Sequence, residues 1–193
     1  MPLTFTTGSV ALLLKEKTYT YHIESEKLIV SRLKNIRGTT DYIRILKILY
    51  GYYVAVEIMI SDYIPEEILP DINERYKSEL ILQDLDYFGK KPGAIPMPAD
   101  LPLINSIATA FGALFVFESL TLSNSLIYDM LLNDKNLLNE NNSFSFFSAY
   151  DDVTEEKWKL FISVLNKQDE NEGIIKGALD NYRMFQNWII NTL

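Results

Sequence analysis

Between Leu103 and about Leu132 lies the most apolar part of the chain. A helix on a protein surface shows an apolar stripe backed by polar positions, and this run is too long and too continuous for that. It predicts a central helix, bent along its length.

The remaining segments read as further helices. Ser9 is placed to cap a first one from Val10 to about Leu33, where Leu13, Leu14, Tyr21, Leu28 and Ile29 recur at helical spacing. After a turn at Asn35 to Gly38, Thr39 or Thr40 can cap a second through about Ser61, with Ile43, Leu46, Leu49, Tyr50, Tyr53 and Val56 buried. Asp71 to about Leu85 has the spacing of a third, ending before a loop from Phe88 to Gly93. Polar Asn133 to Asn142 and the aromatic segment Ser143 to Tyr150 predict a stretch at the surface. Thr154 opens a helix with Glu155 and Glu156 in its first turn, and a last helix runs from about Glu172 to Ile190. No strand pattern competes, so the expected fold is one all-α domain over residues 1–193.

Composition removes several classes of chemistry. With no cysteine there is no disulfide, thiolate metal site or thiol nucleophile, which suits a reducing cytoplasm. Lysine and arginine number 18 against 26 acidic residues, and the formal charge of −8 argues against general nucleic-acid binding. Met1 to Ser9 lacks the basic start and apolar core of a signal peptide, and no apolar run reaches the roughly 18 residues of a membrane span. A cytoplasmic location is expected. P-loop, dinucleotide-turn, zinc-helix and EF-hand motifs are missing from the sequence. A di-iron bundle needs paired Glu-x-x-His motifs, which one histidine cannot supply. A single-histidine axial site stays open, and haem asks least of the protein because porphyrin brings four nitrogens of its own.

His22 is that histidine. On a helix, Lys15 and His22 share a face with Thr18 beside them, and Glu26 follows one turn later. A carboxylate at this spacing can hold one imidazole nitrogen and leave the other electron-rich for a metal. A half-buried histidine beside an unrelated acid has the same spacing, so both readings remain open at this point.

The pattern Lys15-Glu16-x-Thr18-x-x-x-His22-x-x-x-Glu26 resembles the first helix of the haem oxygenases, especially the bacterial biliverdin-forming branch. Gly112-Ala113-Leu114-Phe115-Val116-Phe117-Glu118-Ser119, then Leu122, is similar to the start of the family's distal helix, and Trp158-Lys159-x-Phe161 and Ala178-x-x-x-Tyr182 to its later helix pair. The resemblance implies a multi-helical bundle holding haem between a proximal helix and a bent distal helix. It implies that His22 is the iron ligand, Glu26 its orienter, Lys15 and Lys159 propionate contacts, and Phe115 and Tyr182 parts of the cofactor pocket.

The distal helix departs from the family pattern, which has glycines at three places occupied here by Ser119, Ser123 and Asn124. Glycine lets a backbone approach a haem face closely, so side chains there either crowd that face or push the helix away. Small polar groups can also hold ordered water on the oxygen-binding side, which assigns these three residues to catalysis.

By this resemblance the protein is an enzyme that opens haem, as both substrate and cofactor, to biliverdin with release of iron and carbon monoxide. Electrons would come from a ferredoxin or a separate reductase, since no flavin or nicotinamide motif is visible. Biliverdin would serve iron acquisition or a phytochrome that receives it. The alternative is a protein on the same fold that binds haem for storage, transfer or sensing without turnover, and a third is an acidic helical interaction module with a structural His22.

Overall fold

The computed structural model describes residues 9–89, 94–137 and 144–193. The signal-peptide reading of the first residues, and parts of the loops expected near 90–93 and 138–143, lie outside these. The Ser9 side chain accepts the Leu12 N–H at 3.3 Å and so starts α1 (Val10–Lys34). Then follow α2 (Thr39–Ser61), α3 (Ser78–Tyr87), α4 (Ile107–Thr121), α5 (Asn124–Leu132), α6 (Thr154–Leu165) and α7 (Asn171–Thr192), with 3-10 turns at Ile72–Arg75 and Asp151–Val153. The described residues contain no strand.

α4 is the centre. Ser106 and Thr109 form a reciprocal capping box at its start, and every residue from Ala108 to Thr121 is buried. That explains why its sequence is apolar on all sides. α7 packs most closely on it, and α1 packs on α7 in turn. Two glycines allow the close crossing: a Cβ on Gly112 would stand 2.0 Å from Ile174 O, and one on Gly177 would stand 2.3 Å from Thr109 O. Buried Asn181 ties the layers together, donating to Ala113 O at 2.8 Å and accepting from Tyr52 of α2 at 2.7 Å.

The predicted bend falls at Leu122 and Ser123, where α4 and α5 meet at 41°. Hydroxyls compete with the helix ladder here. Ser119 Oγ donates to Val116 O at 3.0 Å, and Thr121 Oγ1 donates to Phe117 O at 2.8 Å. No single helix among the described residues is long and apolar enough to cross a membrane.

Two stretches differ from the sequence expectation. The third helix is split at Tyr76 and Lys77, because Glu57 accepts the Lys77 N–H at 2.6 Å and the Ser78 N–H at 3.2 Å. The aromatic segment is not at the surface: Phe144, Phe146 and Phe147 are buried. Asp84 draws it inward by accepting the Ser145 and Phe146 N–H groups at 2.6 and 3.0 Å, and Phe146 packs edge-on against Tyr53.

Candidate functional site

Lys15, Thr18, Tyr19, His22 and Ile23 lie along one side of α1 and line one wall of a cavity of about 330 Å3. Phe115, Ser119 and Leu122, Trp158 of α6 and Tyr182 of α7 line the rest. Thr18 is buried and returns its hydroxyl to Leu14 O at 2.7 Å, and His22 gives the α1 wall its imidazole.

Both ring nitrogens of His22 have protein partners. Nε2 lies 3.0 Å from Glu26 Oε1, one turn along α1, and Nδ1 lies 3.2 Å from the Tyr182 hydroxyl. Each arm continues to the α4 side. Ser123 donates to the same Glu26 oxygen, and Ser119 Oγ lies 2.8 Å from the Tyr182 hydroxyl. Ser119, Tyr182, His22, Glu26 and Ser123 thus form one chain of hydrogen bonds running from α4 to α1 and back to the α4–α5 break.

The protons in this chain can be placed in two ways. With a neutral ring, Nε2–H donates to Glu26, Tyr182 donates to Nδ1, and Ser119 donates to Tyr182. With a protonated ring, Nδ1–H donates to Tyr182, Tyr182 to Ser119, and Ser119 to Val116 O. The hydrogen bond from His22 holds the Glu26 carboxyl below its ordinary range against the opposing effect of burial, with Ser123 helping. Burial, and then the Glu26 charge, push the Tyr182 phenol far above its ordinary range, so it remains a neutral hydroxyl.

His22, Lys15, Phe115, Ser119 and Tyr182 therefore meet at one cavity, with Glu26 and Ser123 joined to it through His22. Asn124 and Lys159 do not share it. Asn124 donates to Phe146 O at 3.1 Å and lines a neighbouring cavity of about 210 Å3, with Leu122 between the two. Lys159 is exposed and paired with Glu155 at 2.7 Å; its neighbour Trp158 is the α6 residue that lines the site. The Tyr182 hydroxyl has a role that spacing could not reveal, because its histidine partner is 160 residues away.

A second polar cluster, unforeseen from the sequence, fixes α4 from behind. Glu118 is 2% exposed and is bonded to Arg75 at 2.5 Å, Lys77 at 3.2 Å and Tyr150 at 2.7 Å. Three partners compensate one buried carboxylate adjacent to Ser119, which sets the rotation of α4 about its axis. Burial lowers the Lys77 ammonium from its ordinary value, and Glu118 opposes this.

A helix bearing a lone histidine, faced by a broken central helix with α7 packed across it, defines the haem-oxygenase-like all-α fold. Among solved structures, the NO- and CO-bound haem oxygenase of Neisseria meningitidis is similar over 96% of this chain and 92% of that one, with a TM-score of 0.75 and 18% sequence identity. At that identity the likeness is one of fold. No protein-family model matches the sequence, and no curated protein matches it.

Proposed function

We propose that the protein is a haem oxygenase that binds haem against His22 and opens it to biliverdin, releasing iron and carbon monoxide. One observation carries this reading: the sole histidine stands in the wall of a largely apolar cavity with a carboxylate on one nitrogen, within a haem-oxygenase-like fold.

The residues present fit the group. His22 offers an imidazole for the iron, Ile23, Phe115, Leu122 and Trp158 offer apolar surface to a flat macrocycle, and Lys15 offers a cation to its carboxylate edge. Haem, when bound, supplies the iron that activates dioxygen and the carbon that is oxidised. The chain does the rest. Glu26, ionised because its carboxyl is held low, fixes the imidazole and keeps it electron-rich. Ser119 presents a hydroxyl from α4, and the apolar walls limit water. Electrons come from an external ferredoxin or reductase in a reducing, cytoplasmic setting, to which a cysteine-free chain is suited.

A second reading, haem binding for storage, transfer or sensing, is favoured by the contacts that Ser119 and Ser123 make across to Tyr182 and Glu26. Aerobic reduction of the haemin complex separates the two. Loss of the Soret band with growth of biliverdin absorption supports the oxygenase, whereas a stable ferrous or carbon-monoxide complex supports the binding protein.

A further inference from the structure

We infer that Tyr182 is a displaceable cap on the iron-binding nitrogen of His22, with Ser119 as the partner that keeps its hydroxyl satisfied when haem takes its place. This rests on the haem reading above but concerns a different step, the exchange of one partner of His22 for another.

An axial histidine must present a bare lone pair, and His22 has none to spare: Glu26 stands at 3.0 Å from one nitrogen and Tyr182 at 3.2 Å from the other. One bond has to open. The Glu26 arm is charge-assisted, lies within α1 and is reinforced by Ser123. The Tyr182 arm is longer, ends on an uncharged phenol and spans from α1 to α7. It is the weaker of the two, and a half-turn of the ring that exchanged the nitrogens would leave this ranking unchanged.

Releasing a buried phenol is ordinarily costly, because a hydroxyl without a partner pays its full desolvation. Tyr182 is wholly buried, but Ser119 Oγ lies 2.8 Å from its oxygen. When His22 turns to iron, Tyr182 can donate to Ser119, which in turn donates to Val116 O at 3.0 Å. This is the same proton placement that a protonated ring imposes. Ser119, at a position where the family pattern has glycine, thereby gains a role on the histidine side of the cavity.

Removing either hydroxyl should have opposite effects. In Tyr182→Phe the capping bond is gone, so haemin binds roughly two- to tenfold more tightly and faster. In Ser119→Ala the released phenol loses its alternative partner, so haemin binds roughly two- to tenfold more weakly. A purely steric role for both hydroxyls predicts the same sign. Haemin titration and stopped-flow Soret measurements on wild type, Tyr182→Phe and Ser119→Ala read this, with circular dichroism to establish folding.

An independent arm needs no haem. Nitrogen-15 NMR of the single histidine in the haem-free protein should show one ring nitrogen shifting in Tyr182→Phe while the Glu26-bonded one holds. Equal haemin affinity in all three proteins, effects of the same sign, or an unchanged histidine spectrum would overturn the inference. His22→Ala separates this from the parent reading: if that variant keeps the wild-type haem spectrum, the haem-ligand assignment itself fails.

Discussion

Ser123, at the break between α4 and α5, donates its hydroxyl to the same Glu26 oxygen that receives His22 Nε2. One carboxylate therefore ties together the two sides of the cavity. Replacing Ser123 by glycine, the residue of the family pattern, removes this tie. Ser123→Gly should lose about 1 kcal/mol of haem-free stability and speed haem turnover severalfold, measured by thermal unfolding and by biliverdin yield. A slower Ser123→Gly enzyme would mean that the tie assists the reaction.

The two lysines expected at propionates have different surroundings. Lys15 lines the cavity, whereas Lys159 lies outside it and is 67% exposed. Lys15→Ala should weaken haemin binding about two- to fivefold, with the loss shrinking at high salt. Lys159→Ala should leave affinity unchanged in the same titration.

Glu57 gives a stability signature away from the site. Burial pushes its carboxyl up to about 7 from an ordinary 4.5, despite hydrogen bonds from Ser78 and the Lys77 backbone. The folded protein therefore holds this proton more tightly than the unfolded chain does. Its stabilising effect is complete below the ordinary value and is lost as pH rises through about 7. Between about pH 5 and pH 8 the wild type should lose up to about 3 kcal/mol relative to Glu57→Gln, measured by chemical denaturation of both proteins at each pH.

The α4–α7 crossing leaves no room for a methyl group at Gly177, where the added carbon would meet Thr109 backbone. Gly177→Ala should cost about 3 kcal/mol, read as a lowered denaturation midpoint.

The helices were legible because local pattern dictates them: Ser9 caps α1 as its spacing predicts, and the bend lies inside the apolar run where hydroxyl residues gather. The face holding Lys15, Thr18 and His22 follows from helical periodicity alone. Long-range polar contacts were not legible. Glu57 splits the third helix from 20 residues away, and Asp84 draws the aromatic segment into the core from 61 residues away. Ser119, Ser123 and Asn124 looked like one set in sequence, but the 41° bend turns Asn124 toward Phe146 while the serines join the His22 chain. The Arg75–Glu118–Lys77 cluster was not legible, because Arg75 and Lys77 alone read as surface charges and nothing local in the sequence pairs them with Glu118 of the apolar run.

Haem binding and haem opening as proposed for this protein both depend on His22 holding the iron. Haemin titration of wild type and His22→Ala, followed through the Soret band and ferric ligand-field absorption, tests it. A saturable one-to-one complex with histidine ligation in wild type, lost in His22→Ala and recovered by added imidazole, is the predicted result. An identical spectrum and affinity in His22→Ala would contradict it.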